Sequence, residues 1–96
     1  RIKYSYEGII MVTLIINQDN SLNKNINISS FGLPIDNMQK LIDYFKVDFV
    51  NNFLSMKYDK NMNDEIVRIV SKKIMRKYCK KEYKRKPEVQ THIIHL

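Results

Sequence analysis

Positions 8–16 read Gly-Ile-Ile-Met-Val-Thr-Leu-Ile-Ile, a nearly unbroken run of apolar and β-branched residues. The run is far shorter than the ~20 apolar residues of a membrane-spanning helix, and no longer one exists in the chain. It lacks the strict alternation of a one-sided strand, so it predicts a strand buried on both faces or nearly so. Such a strand needs partners, and the remaining sequence offers two. Residues 17–25 are rich in Asn, Asp and Ser and predict a loop. Ile26, Ile28 and Ser30 then alternate with Asn25, Asn27 and Ser29, the pattern of a second strand with one wet face, hairpin-paired to the first. Gly32 and Pro34 end it.

Two helical patterns follow. Asp36 has the position of an N-cap. Met38, Leu41, Ile42, Phe45, Phe49 and Phe53 recur at helical spacing, five of them within about 80° of a helical wheel and Leu41 just outside. The polar stretch 57–63 separates this helix from the next, which Asp64, preceded by Asn63, would cap. The apolar face of the second helix is Ile66, Val67, Val70, Ile74 and Tyr78, an arc of about 120°. Ile69 and Met75 fall outside that arc and, with the second face of strand 9–16, are assigned to a self-association surface. Pro87 stops the helix, and residues 89–96 predict a closing strand. The order is β-β-α-α-β, an α/β arrangement (an α+β sandwich) with a three-stranded sheet and two amphipathic helices on one face. It forms one domain over residues 1–96. A start at Arg1 suggests the C-terminal part of a longer protein.

Charge is distributed unevenly. Residues 1–71 hold eight Lys/Arg and eight Asp/Glu, whereas residues 72–96 hold nine and two, so the whole net charge of +7 lies in the last 25 residues. On the second helix, Lys72, Lys73, Arg76, Lys77, Lys80, Lys81 and Lys84 share one flank beside the apolar arc, interrupted only by Glu82. A merely solvated face would intersperse acids for i,i+4 pairing. The omission favours a polyanion, with Lys72, Lys73, Arg76, Lys77, Lys80, Lys84, Arg85 and Lys86 as RNA-backbone contacts. Tyr83 interleaves with them; Tyr78 belongs to the core.

Nothing in the sequence assembles a catalytic site. His92 and His95, three apart in a strand, point to opposite faces and cannot share a metal unaided. Asp43 and Asp48 sit about 140° apart on a helix. Asp59 and Glu65 have no carboxylate partner suited to acid–base work, and Ser29 and Ser30 have no base nearby in sequence. Two glycines cannot build a phosphate-cradling loop. The single Cys79 excludes an internal disulfide and suits a reducing compartment; its neighbours Lys77, Lys80 and Lys81 are placed to lower its pKa. The chain therefore reads as a binding or assembly module without catalytic or metal-binding residues of its own.

Three places in the sequence resemble the C-terminal domain of ribonuclease J, a bacterial metallo-β-lactamase/β-CASP ribonuclease. Glu7-Gly8 leads into the apolar strand 9–16; Ile28-Ser29-Ser30-Phe31-Gly32-Leu33-Pro34 precedes the first helix; and the basic helix runs through Lys84-Arg85-Lys86-Pro87 into the closing strand 88–96. The third is the most specific. Members of that family often carry Arg before the Gly, where this chain has Phe31. The resemblance implies a three-stranded sheet with two helices. It also implies a cytoplasmic parent enzyme that degrades or trims RNA, from the 5′ end and internally, with two zinc ions bound in upstream domains of the same chain. The domain itself would support homo-oligomer assembly and full activity. A stand-alone basic nucleic-acid-binding domain and a purely structural dimerisation module are the alternatives.

Overall fold

A computed structural model describes residues 8–53 and 63–96. Glu7, Asp59 and most of the polar stretch 57–63 lie outside the described residues. The elements are β1 (Ile9–Ile16), β2 (Asn27–Phe31), α1 (Met38–Phe53), α2 (Asp64–Tyr83) and β3 (Glu88–His95). The predicted β-β-α-α-β order and the three-stranded sheet are both present. Sheet order is β2-β1-β3, so the apolar run is the central strand. It pairs antiparallel with β2, Val12 opposite Ile28, and parallel with β3 from Ile9–Glu88 through Ile16–His95. Parallel neighbours require a crossover long enough to travel back along the sheet, and α1 and α2 occupy that crossover.

Burial in β1 alternates. Ile10, Val12, Leu14 and Ile16 are buried, whereas Ile9, Thr13 and Ile15 are half-buried and Met11 is exposed. This corrects the expectation of a strand buried on both faces. The continuous apolar run satisfies the helices on one side only and leaves its second face uncovered among the described residues.

Both helices are rotated relative to their apolar arcs. In α1, Leu41, at the margin of the arc, is as deeply buried as Phe45 and Phe49, whose rings stack 5.1 Å apart. In α2, the buried residues are Val67, Ser71, Ile74, Met75, Tyr78 and Cys79, while Ile66 and Ile69 are exposed. Met75 is thus a core residue with no exposed surface and cannot serve the self-association surface assigned to it. The physical reason is that α2 packs against both β3 and α1. It must bury a wider arc, about 140° from Ile74 to Cys79, and the small side chains of Ser71, near the middle of the arc, and Cys79, at its edge, allow close approach. Tyr44 and Tyr78, with centroids 4.8 Å apart, join the two helices.

The caps also differ from expectation by one residue. Asn37 rather than Asp36 accepts the Lys40 N–H through its side chain, and Asn63 rather than Asp64 accepts that of Ile66. Asp64 and Glu65 instead occupy the first turn of α2, where the helix dipole favours them. At the other end Lys84 takes the left-handed conformation, φ 56°, its N–H bonded to the Lys80 carbonyl and that of Arg85 to the Cys79 carbonyl. This turn directs the chain toward β3.

Gly8 opens β1 at φ +107°, and a Cβ there would run into the Leu33 side chain. Gly32, at φ +74°, has only an ordinary contact at the same position. Replacing Gly8 with Ala therefore combines backbone strain with overpacking and is expected to cost about 2–4 kcal/mol. Gly32→Ala pays the conformational cost alone, about 1 kcal/mol. Thermal melts should show Gly8→Ala lowering the midpoint more than Gly32→Ala. Equal shifts would mean that the Leu33 contact is not formed.

Candidate nucleic-acid and assembly surfaces

The rotation of α2 relocates its charges. With Val67, Ile74 and Tyr78 inward, Lys73, Lys77 and Lys80 stand on the side turned away from the core rather than on a flank beside it, and only Lys81 keeps the flank next to Ile74. All four are exposed, as are Lys84, Arg85 and Lys86 at the turn into β3. No ion pair engages Lys73, Lys77, Lys80, Lys81, Lys84 or Arg85 among the described residues. Glu82, the acid that interrupts the stripe, is drawn off by Lys40 of α1 at 3.4 Å. This leaves a solvent-facing cationic array with little internal compensation, the arrangement that holds a phosphate backbone without reading bases.

Two of the candidate contacts are placed differently. Arg76 is half-buried; its Nε donates to the Pro87 carbonyl at 3.2 Å, and its Nη2 lies 3.9 Å from the Glu88 carboxylate. Arg76 thereby fastens the start of β3 to α2. Lys72 is also half-buried and lines a groove with Glu65, Arg68, Ile69, Val89, Gln90 and Thr91. Ile69, 50% exposed, belongs to this groove as well. Neither tyrosine ring is free for base stacking. Tyr78 is core, and half-buried Tyr83 sets its ring edge against it, with its hydroxyl donating to Asp36 at 3.4 Å.

On the opposite side of the domain lies the uncovered face of the sheet. The register places Ile9 beside Phe31, Met11 between Ser29 and Gln90, and Ile15 beside Ile94. Phe31 is 60% exposed, and Met11, Ile94 and Leu96 are also exposed. Phe31 thus adds a large ring to this face. The second face of strand 9–16 is legible as leftover apolar surface in the sequence; what only the register supplies is its extension by Phe31 of β2 and Ile94 of β3.

His92 and His95 pair with Thr13 and Ile16 of β1, one on each face of the sheet. The His95 Nε2 lies 2.9 Å from the Asp64 carboxylate, joining the end of β3 to the start of α2. Among the described residues no three His, Cys, Asp or Glu side chains converge as metal ligands. No helix among them is long and apolar enough to cross a membrane. Cys79 departs from expectation. It is buried on the inward side of α2 while Lys77, Lys80 and Lys81 face out, and burial pushes its thiol up to about 11.

The ribonuclease J C-terminal domain family model matches residues 1–96, and the chain belongs to that family. No curated protein matches it.

The burial of Cys79 has a measurable consequence. The unfolded thiol ionises near its ordinary value of 9, the folded one only near 11. Between those values the unfolded state binds fewer protons. The contribution of Cys79 is therefore fully present below pH 9 and is lost as pH rises toward 11, with a limiting slope of about 1.4 kcal/mol per pH unit. In urea titrations at pH 8.5 and 10, the stability of wild type relative to Cys79→Ala should shrink by on the order of 1–2 kcal/mol. A constant difference would place the thiol in contact with solvent.

Proposed function

We propose that this domain is the non-catalytic, C-terminal accessory part of a cytoplasmic ribonuclease of the J type. It holds copies of the enzyme together through the open sheet face and supports RNA processing by upstream domains of the same chain. The zinc ions and the hydrolytic chemistry belong to those upstream domains. The observation that carries this reading is the apolar row Phe31, Ile9, Met11, Ile15 and Ile94 on a sheet face that no described element covers. Apolar area of this kind is stabilised by removal from water, at about 25 cal/mol per Å². Lying on one face, it suits a self-complementary two-fold contact. Assembly through this face would leave the cationic side of α2 directed outward.

A second role is favoured by that cationic side. Lys73, Lys77, Lys80, Lys81, Lys84 and Arg85 are exposed without acidic partners among the described residues. They would lie along an RNA backbone with no sequence choice.

Sedimentation equilibrium of the 96-residue chain tests the first role. A dimer is expected at micromolar concentration, and a monomer for the double variant Met11→Glu, Phe31→Glu with its melting temperature nearly unchanged. A wild-type monomer at several hundred micromolar would reject it. For the second role, the log–log dependence of affinity for single-stranded RNA on salt should have a slope of roughly −3 if four or five cations engage. Converting Lys73, Lys77 and Lys80 together to Gln should flatten that slope by about two units for every RNA sequence alike. An unchanged slope would leave these lysines as a solvated face.

A further inference from the structure

β3 is an edge strand, and its outer side is not bare. The Glu88 N–H donates to the Gly8 carbonyl and the Leu96 N–H to the Ile16 carbonyl, so the even-numbered residues of the strand turn their backbone groups toward β1. In a parallel ladder the intervening residues turn theirs the other way. Val89, Thr91 and Ile93 therefore direct N–H and C=O groups to the free edge, and no backbone partner meets them there among the described residues. Alongside this edge runs α2, separated from it by the groove of about 570 Å³ that Glu65, Arg68, Ile69, Lys72, Val89 and Thr91 line. Two features distinguish the groove from an ordinary exposed edge. Ile69, half exposed, offers an apolar contact. Arg68 and Lys72 flank it with no carboxylate ion-paired to either among the described residues, against the single acid Glu65.

We infer that this groove is a docking site for an extended peptide segment of another protein. The segment adds as a fourth strand to β3 and sets an apolar side chain on Ile69 with acidic side chains toward Arg68 and Lys72. The backbone array specifies the class of partner. Alternating donors and acceptors at strand spacing are matched by another peptide backbone and not by a sugar–phosphate chain. The side chains specify its character. Added residues alternate between the two sides of the sheet, so every second one faces α2. There it meets isoleucine and two cations, which select apolar and acidic types and reject basic ones. This site is separate from the outward lysines of α2 and from the open sheet face, so it stands or falls independently of the roles proposed for them.

The test uses an acetylated, amidated peptide, Thr-Glu-Thr-Val-Thr-Glu-Thr, titrated into the ¹⁵N-labelled 96-residue chain. The expected result is saturable shifts of the Val89, Thr91, Ile93 and Ile69 amides. The counterpart with Lys in place of Glu should bind at least fivefold more weakly, as should one N-methylated at alternate residues, which lacks the pairing donors. The double variant Arg68→Glu, Lys72→Glu should reverse the preference between the Glu and Lys peptides while leaving the unbound spectrum of β1 intact. Three results would overturn the proposal. One is no saturable shift at these residues up to several millimolar peptide. Another is an oligouridylate that displaces the peptide from them. The third is concentration dependence of the same amides without peptide, which would mean that a second copy occupies the edge.

Discussion

The parallel pairing of β1 with β3 is the interaction on which the rest of this domain depends. It joins the first described strand to the last through eight register positions, with both helices between them. The central strand acquires its second neighbour only when α1 and α2 have been laid down across the sheet. Contacts of such long sequence separation carry a large loop-closure cost before any pairing is gained. Features clustered around the junction hold it. Arg76 reaches the Pro87 carbonyl and Glu88 at the entry to β3, and His95 meets Asp64 at its exit. The left-handed Lys84 directs the chain between them.

That topology also sorts the surfaces. Because both helices lie on one side, the apolar central strand is covered once and, among the described residues, left open once. Because α2 is wedged between β3 and α1, its lysines are driven outward and its small residues inward. An apolar sheet face and a cationic helix face thus point in opposite directions. The proposed roles divide between these sides: desolvated contact between copies would use the one, salt-sensitive contact with a polyanion the other. The same wedge that exposes the lysines buries Cys79, so a thiol surrounded in sequence by lysines has its pKa raised by burial instead of lowered by them.

Much of this arrangement was legible in the residues. The five elements, their order and the concentration of positive charge follow from periodicity, turn chemistry and counting. What was not legible concerns rotation and register. A helical wheel weighs Ile66 and Ile69 above Ser71 and Cys79, yet close packing between two layers prefers the small side chains at the contact. Met75 was lost to the core for that reason. The caps moved by one residue because Asp-Asn and Asn-Asp pairs both satisfy the cap preference, and only backbone geometry chooses between them. The leftover face of β1 was legible, but its extension by Phe31 and Ile94, and the groove between Val89 and Ile69, need strand neighbours that no single segment encodes. Of the RNA contacts read from sequence, Arg76 proved to be held by the protein itself.

Solvent paramagnetic relaxation across a protein dilution series addresses the central claim most directly, that the two faces have different tasks. A soluble gadolinium chelate relaxes whatever protons remain open to water. In concentrated samples the methyl and ring protons of Met11, Ile94 and Phe31 should become shielded, while the side chains of Lys73, Lys77 and Lys80 relax as they do on dilution. Shielding of the lysine side, or no change at the sheet face at any concentration, would contradict it.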